Sequence, residues 1–373
     1  MITGYGVDGK AIYRYLYGKS YLEVKEKRNS LLAKQHTISH SKSVQALSKT
    51  TFEKLAQEWL MTKRDAVKES TYAHYSNIVE KQLLPELGEL NITAITSERL
   101  ELFLRRKLQS GKVDGSGGLS NKTVSDLRAV LNLILQYGQM QGFSQLASVH
   151  IPSVANKTPA IQTFTKQEQM KLENVLFSEP KPLHLGILIA LYAGLRIGEV
   201  CALQWKDFSR VNGTVSVSKT IIRIWDLDED APAKTKILID KPKTQCSIRT
   251  IPLPEFILAF LEANERCGDA YLLTGTAQFM EPRVCLAQYK RVLKKAGIPD
   301  HNFHALRHTF ATRCVEESFD VKSLSEIMGH SNVSITMQRY VHPSLERKRE
   351  QMNKLSPLSI HSQNCSQEVC QNA

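Results

Sequence analysis

The sequence contains no hydrophobic run long enough to cross a membrane. Its longest apolar stretch, residues 185–195, ends at Arg196 after 11 residues, whereas a membrane-spanning helix needs about 20. Residues 1–10 are polar and rich in glycine, unlike a secretory signal peptide. These observations argue against the secreted and membrane-spanning classes, and we expect a cytoplasmic protein.

Cysteine pairs and the common cofactor motifs are also lacking. The seven cysteines are odd in number and scattered, with no CxxC pair, which argues against a disulfide framework or a zinc knuckle. The sequence has no GxxxxGK[ST], GxGxxG or HExxH motif and no obvious carboxylate cluster that would hold Mg²⁺. We therefore expect neither a cofactor nor a metal.

Positive charge is what the sequence has in excess. It contains 49 Lys+Arg against 37 Asp+Glu, which gives a net charge of +12 over 373 residues. With 42% hydrophobic residues, the chain is neither disordered nor fibrous, and its length suggests two or three domains. A basic chain of this size favours a polyanionic partner. Because a membrane-spanning run is lacking, nucleic acid is the favoured polyanion.

Hydrophobic periodicity predicts a mainly α fold with a small antiparallel β-sheet. Apolar residues recur at helical spacing from Phe52 onward, and a capping box formed by Thr165 and Glu168 opens a second helical block. β-Branched residues predict a small antiparallel sheet with a long hairpin at residues 211–253. The chain then divides into an N-terminal segment with short β-like pieces, a polar linker, a helical domain, a mixed α/β domain and a polar tail: residues 1–34, 35–50, 51–150, 160–353 and 354–373.

Two short segments place basic side chains at predicted element boundaries. Gly194 can end one helix, which puts Arg196 at a helix junction and Glu199 in the first turn of the next helix. Lys243 precedes a predicted strand. Taken alone, Arg196 is more simply a surface arginine and Lys243 a solvated charge, although a mobile lysine can also donate a proton.

Two further segments combine histidine, arginine and tyrosine. His304 and Arg307 are three residues apart and share a helix face, which suits a phosphate because both side chains donate hydrogen bonds. A structural salt-bridge helix fits that pattern equally well. His330 follows Gly329, which can end a helix, and Tyr340 lies on the next predicted helix. A single tyrosine is more often a core residue than a nucleophile.

Five motifs in this order resemble the tyrosine recombinase (phage integrase) family: GLRIGE at residues 194–199, PKT at 242–244, HALRHTFA at 304–311, GH at 329–330, and Tyr340. The resemblance spans about residues 51–353. Tyr340 follows His330 by ten residues, which is similar to integrases of Gram-positive phages and conjugative transposons. The chemistry agrees, because an enzyme that cuts phosphodiesters without metal ligands needs Arg, Lys and His to stabilise charge and a side-chain nucleophile.

The resemblance implies how DNA strands are cut and rejoined. Tyr340 would attack the scissile phosphate and form a 3′-phosphotyrosyl bond. Arg196 and Arg307 would hold the two non-bridging oxygens, and Glu199 would orient this arginine pocket. Since one ester is exchanged for another, neither ATP nor a metal would be needed.

The resemblance also implies roles for the remaining polar residues. Lys243 would protonate the departing 5′ oxygen, with Lys236 and Lys241 as nearby alternatives. His304 and His330 would donate hydrogen bonds to the phosphate, and His304 could also take the tyrosine proton.

At the level of domains, the resemblance implies an enzyme that clamps duplex DNA. Residues 51–150 would form the helical core-binding (SAM-like) domain, residues 160–353 the catalytic domain, and residues 1–34 a truncated arm-type DNA-binding segment. The partners would be DNA attachment sites, further copies in a tetramer, a host DNA-bending protein and an excision factor. The protein would therefore be nucleoid-associated.

One candidate DNA contact lies in the helical domain. Lys122 and Thr123 follow Ser120 at the start of a predicted helix. A helix N-terminus and a lysine suit a DNA phosphate. A plain N-cap on a solvated helix fits these residues equally well.

Three alternatives share the fold. A type IB topoisomerase would use the same tyrosine chemistry, a DNA-binding regulator would have lost catalysis, and a chromosome-dimer recombinase would act on the host chromosome. All six expected active-site side chains are present, which disfavours the regulator. The residues before Thr51 and the step from His330 to Tyr340 favour an integrase of a prophage or other mobile element.

Overall fold

The computed structural model describes residues 2–5, 11–13, 50–152, 161–228, 230–240, 248–264, 267–340, 348–349, 352–353 and 355. Two compact units are distinguished: one of residues 1–158 with 225–234, the other of residues 159–224 with 235–373. The described elements are mainly helices with small antiparallel sheets, which confirms the predicted fold class. No helix within the described ranges is long and apolar enough to cross a membrane.

The first unit begins with a short pair of strands. Strands β1 (Ile2–Tyr5) and β2 (Ala11–Tyr13) pair antiparallel on either side of the Asp8-Gly9 sequence. Residues 14–49 lie outside the described part, and with them most of the predicted arm-type segment and linker.

A helical bundle makes up most of the first unit. Its members are α1 (Phe52–Lys63), α2 (Glu69–Ile78), which continues as a π-helical turn (Val79–Leu83), α3 (Leu84–Leu87), α4 (Ser97–Ser110) and α5 (Asn121–Met140). Short 3₁₀ turns lie at Ile92–Ala94 and Ser144–Ser148. The apolar stripe predicted from Phe52 is the buried face of α1, and Phe52 and Trp59 are almost fully covered. Burial of one stripe per helix produces a single core.

The second unit contains helices that surround one buried helix. Its helices are α6 (Lys166–Ser178), α7 (Pro182–Ala193), α8 (Ile197–Ala202), α9 (Glu255–Glu262), α10 (Pro282–Lys295), α11 (His304–Glu316), α12 (Val321–Met328) and α13 (Val333–Tyr340). The long apolar run of the sequence is α7, which is buried on nearly every side. The predicted capping box at Thr165 and Glu168 is present at the start of α6.

The strands of the second unit form two small sheets instead of the single predicted sheet. Strands β3 (Phe208–Ser209), β4 (Thr214–Val217) and β7 (Arg249–Pro252) form an antiparallel sheet in the order β3-β4-β7, which a 3₁₀ turn (Trp205–Asp207) precedes. Strands β5 (Thr220–Trp225) and β6 (Thr235–Asp240) pair separately. The reason is that β7 pairs with β4, so the β5–β6 hairpin is left outside that sheet.

Candidate active site

Arg196 is held at the junction of two helices in the second unit. Helix α7 ends at Gly194, whose φ of 65° is left-handed and therefore favours glycine. The chain turns there, and α8 begins one residue after Arg196. Glu199, in the first turn of α8, accepts hydrogen bonds from the Arg196 backbone N–H and from Arg196 Nη1, both at 2.9 Å. The Arg196 side chain is 39% exposed and Glu199 only 5%, so the guanidinium is accessible from solvent.

A second arginine neutralises the same carboxylate from the other side. Arg249 donates through Nη1 and Nη2 to the two oxygens of Glu199, at 3.1 and 2.9 Å, and its Nε donates to the Ile327 carbonyl at 2.6 Å. Burial alone would raise the pKa of Glu199, but Arg249 and then Arg196 outweigh it and lower that pKa to about 2. Glu199 therefore stays ionised, and the three side chains together carry one net positive charge.

Arg307 lies deeper than the sequence pattern indicates. The prediction that His304 and Arg307 share a helix face implied an accessible arginine, yet Arg307 is only 1% exposed. Its Nη1 donates to the Gly194 carbonyl at 2.6 Å and its Nη2 to the Met328 carbonyl at 2.5 Å. These carbonyls terminate α7 and α12, where the helix dipole is negative.

The charge of Arg307 persists despite this burial. Burial, followed by the charge of Arg196, lowers the pKa of Arg307 to about 9. The guanidinium therefore remains protonated at neutral pH. Two cationic side chains that repel each other at short range form a site in which an anion is favoured.

Three histidines lie close to this pair of arginines. Burial first, and then neighbouring positive charges, lower the pKa values of His304, His308 and His330 to about 4. All three rings are therefore neutral at pH 7. His330 Nδ1 lies 2.7 Å from the Oγ1 of Thr336, which is fully buried. If the threonine hydroxyl donates in this pair, the His330 Nε2 carries the proton and can donate to a ligand.

Tyr340 is the last residue of α13 and is 8% exposed. Its hydroxyl lies 2.6 Å from His308 Nδ1. Burial raises the pKa of Tyr340, while the charges of Arg307 and Arg339 oppose that increase. The ring packs in a small cluster with Phe310 and Met328. The phenol is therefore protonated, hydrogen-bonded and held close to the arginines.

The structure brings most of the predicted site residues into one region of the second unit. Arg196, Glu199 and Arg307 interact electrostatically, and so do Arg307 and Tyr340. The positive charges of Arg196 and Arg307 help to lower the pKa values of both His304 and His330.

The remaining predicted residues lie elsewhere or outside the described part. Lys243 belongs to the undescribed residues 241–247, as does its alternative Lys241, while Lys236 lies on β6 with an exposed side chain. Lys122 and Thr123 lie in the first unit, in the first turn of α5. Lys122 Nζ is paired with Asp126 at 2.5 Å, and the Thr123 backbone N–H donates to the Ser120 hydroxyl at 3.1 Å.

Three residues that shape the site carried no predicted role: Arg249, His308 and Thr336. The alternation of side chains along a strand could have indicated that Arg249 is buried. Ile251 is an inward residue, and Arg249, two residues before it, lies on the same face. In β7 both are buried while Thr250 is exposed. His308 and Thr336 carried no such signal, because their partners are distant in sequence or across a turn.

The described residues contain no group of three or more His, Cys, Asp or Glu side chains placed to hold a metal ion.

Two family models match the chain. The model of the phage integrase family matches residues 159–347, and that of the phage integrase N-terminal SAM-like domain matches residues 51–108. The first model alone covers more than half of the sequence. The chain therefore belongs to the phage integrase family and is a tyrosine site-specific recombinase.

Curated relatives and solved structures agree with this membership. A tyrosine recombinase XerC-like protein of Caldanaerobacter subterraneus subsp. tengcongensis is 28% identical, over 95% of this chain and 94% of its own length. A putative prophage phiRv2 integrase of Mycobacterium tuberculosis is 23% identical, over 83% of this chain and 78% of its own length.

Among solved structures, the Tn1549 transposon integrase in complex with circular intermediate DNA has a TM-score of 0.65. It is 24% identical, over 82% of this chain and all of that one. A lambda integrase tetramer bound to a Holliday junction has a TM-score of 0.58 at 16% identity, over 91% and 93% of the two chains. At these identities the structures show a shared fold.

Proposed function

We propose that the chain integrates a mobile genetic element into DNA, and excises it, by cutting each strand with Tyr340. The observation that carries this proposal is the convergence of a protonated tyrosine, two arginines and three neutral histidines around a carboxylate that is already neutralised. Such a site attracts an anion with two accessible oxygens, and a phosphodiester is such an anion. Two relatives of this chain are named as a prophage integrase and a transposon integrase, which favours a mobile element.

The two arginines are proposed to stabilise the transition state. Attack on a phosphodiester adds negative charge to the two non-bridging oxygens, which Arg196 and Arg307 would bind. Both guanidinium groups are fixed by protein contacts before substrate arrives, so little reorganisation is needed. Loss of one such donor typically costs about 10² to 10³ in rate.

The histidines are proposed to complete the phosphate site as donors. A neutral imidazole donates one hydrogen bond, and donation from the Thr336 hydroxyl to His330 Nδ1 would leave Nε2 as the donor. His304 shares the start of α11 with Arg307 and would donate in the same manner. Glu199 would position Arg196.

The departing 5′ oxygen needs a proton, which we assign to Lys243. A flexible lysine suits this task because it can follow the oxygen as the bond breaks. In the first proposed step, the bond from phosphorus to the Tyr340 oxygen forms while the bond to the 5′ oxygen breaks. The 5′ hydroxyl of a partner strand later reverses this exchange.

DNA attachment sites and further copies of the chain are the proposed partners. A helical core-binding domain at residues 51–150 and a catalytic domain at residues 160–353 would grip the duplex, with Lys122 and Thr123 among the contacts to phosphate. Four copies on two sites would exchange strands. The lambda integrase named above is likewise a tetramer, bound to a Holliday junction. A host DNA-bending protein and an excision factor complete the proposed assembly, in the cytoplasm at the nucleoid.

A chromosome-dimer recombinase is the second candidate. The observation that favours it is the XerC-like relative, which matches along 94% of its own length. Both candidates use the same site and differ in the DNA on which they act.

Covalent capture tests the proposal. The protein is incubated with sheared DNA from a host that carries the element, with EDTA present, and the reaction is stopped with SDS. We expect a nucleotide remnant on Tyr340 by mass spectrometry and none on Tyr340→Phe, which should still bind DNA because only the hydroxyl is removed. Sequencing the attached DNA distinguishes the element's ends from a chromosomal site.

Three outcomes would contradict parts of this scheme. An SDS-stable adduct on Tyr340→Phe would show that another residue is the nucleophile. Binding without an adduct on the wild-type protein would favour a DNA-binding regulator, and relaxation of plasmids without recombinant products would favour a topoisomerase.

A further inference from the structure

Tyr340 and His308 form a direct pair on facing helices. The Tyr340 hydroxyl at the end of α13 lies 2.6 Å from His308 Nδ1 on α11, and the ring centroids are 5.6 Å apart. The His304 ring meets the His308 ring edge to face, with centroids 4.5 Å apart. His308 is therefore the imidazole in hydrogen-bond contact with the hydroxyl, whereas the family resemblance implies His304 as the residue that takes the tyrosine proton.

The surroundings of His308 keep its ring neutral in the free protein. Burial lowers the pKa of His308 to about 4, and the positive charges of Arg339 and Arg307 add to that effect. Among the described residues, the other titratable side chains in contact with it are His304 on its own helix and Tyr340 on α13. A neutral ring leaves one nitrogen with a lone pair, so the phenol can donate its hydrogen bond to Nδ1.

We propose that His308 accepts the phenolic proton of Tyr340 as Tyr340 attacks phosphorus, which makes His308 a further catalytic residue. This inference rests on the proposed function. The proton moves from the Tyr340 oxygen to His308 Nδ1 while the tyrosine oxygen forms its bond to phosphorus. The bond to the 5′ oxygen breaks, and that oxygen receives its proton from the general acid assigned to Lys243. In the reverse step His308 returns the proton to the departing phenolate.

The charges around His308 would link this proton transfer to the presence of DNA. In the free protein, an imidazolium beside Arg307 and Arg339 is disfavoured by repulsion, so Tyr340 stays protonated and unreactive. A bound phosphate neutralises part of that positive charge, and an anion nearby favours the protonated ring. The base would thus become effective only when a scissile phosphate occupies the site.

The test measures the rate of covalent adduct formation with two variants. His308→Ala removes both the hydrogen bond and the base, whereas His308→Asn keeps a polar group that can accept a hydrogen bond but cannot take the proton. The probe is the duplex recovered by covalent capture, made with sulfur in place of the scissile 5′ oxygen, because a thiolate leaves without general acid help. We expect both variants to lose about 10² or more in rate, with DNA affinity unchanged.

Two further readouts separate a base from a structural contact. Fluorinated tyrosine at position 340 loses its proton more readily, so we expect it to recover a larger share of the rate in His308→Asn than in the wild type. The wild-type rate should fall as the medium is acidified, because protonated His308 cannot accept a proton, and His308→Asn should lack that inflection. His301→Asn, in the same unit but in contact with Phe164 and Glu168, is the matched control and should keep the wild-type rate and profile.

Each outcome decides the matter. A wild-type rate in His308→Asn, or no added recovery with fluorinated tyrosine, would overturn the base role while leaving the proposed function intact. If the wild-type protein forms no adduct with any DNA, the proposed function fails and this inference fails with it. Should His308→Ala not fold, His308→Asn and the wild-type pH profile remain sufficient.

Discussion

At the scale of single residues, the site depends on one buried ion-pair network. Glu199 holds Arg196 and Arg249 together, and Arg249 also binds the Ile327 carbonyl. Removal of one partner from a buried pair leaves an uncompensated charge, whereas removal of an exposed partner costs little. The two arginines of Glu199 are therefore not equivalent, since Arg249 is 6% exposed and Arg196 39%.

Arg249→Met should destabilise the protein by about 3–5 kcal/mol, because Glu199 would then be buried with only Arg196 as its partner. The free energy of unfolding in urea measures this loss, and adduct formation should fall as Arg196 loses its fixed position. The matched control is Arg105→Met, which breaks a pair with Glu101 whose side chains are 70% and 44% exposed. We expect that control to cost about 1 kcal/mol or less. Equal losses for the two variants would contradict the argument.

The three histidines predict how stability depends on pH. Their pKa values are about 4 in the folded protein against 6.5 ordinarily. Between these values the unfolded chain binds more protons than the folded one, so the free energy of unfolding falls as pH drops from 7 to 4. Each unit of pKa difference corresponds to about 1.4 kcal/mol at most. Urea titrations at pH 7 and pH 5 test this, and greater stability at pH 5 would exclude it.

At the scale of elements, helix ends build the candidate active site. Helix α7 ends at Gly194 and α12 ends at Gly329, both with positive φ. The carbonyls at these ends bind Arg307, and the turn after Gly194 presents Arg196. Both positions favour glycine because the backbone there is in the left-handed region. In addition, a Cβ atom would come close to Phe310 at Gly194 and to Arg249 at Gly329.

Gly194→Ala should therefore cost more than a backbone effect alone. An added Cβ would lie 2.6 Å from Phe310 Cδ1, and Phe310 packs in the cluster that contains Tyr340. The control is Gly297→Ala, because Gly297 has the same φ of 65° but no atom within 4 Å of an added Cβ. We expect about 1–2 kcal/mol for the control and a larger loss, together with slower adduct formation, for Gly194→Ala. Matching unfolding free energies would show that the Phe310 ring moves aside freely.

At the scale of the whole molecule, the net charge of +12 predicts binding to DNA that weakens with salt. Each neutralised phosphate contributes about 0.9 to the slope of log K against log salt concentration. If Lys122 leaves Asp126 to bind one phosphate, Lys122→Ala should lower the magnitude of that slope by about 0.9. Lys54, an exposed lysine on α1 for which no DNA contact is proposed, provides the control variant. An unchanged slope for Lys122→Ala would contradict the proposed contact between Lys122 and a DNA phosphate.

Much of the fold follows from local pattern. The stripe from Phe52, the capping box at Thr165 and the glycine stops at Gly194 and Gly329 were readable because the signal lies within a few neighbouring residues. The division of strands into two sheets could not be predicted, since the pairing of β4 with β7 joins distant residues, from Val217 with Arg249 to Thr214 with Pro252.

For the candidate site, the sequence by itself determined which side chains were available and in what order, because each of the five motifs is a short contiguous stretch. Only the tertiary structure decided that Arg307 is buried between two helix ends, that Arg249 shares Glu199 with Arg196, and that His308 contacts Tyr340. Each of these contacts joins elements that are brought together by core packing. Helical spacing indicates which residues share a face of one helix, but the partner of that face depends on how the helices pack.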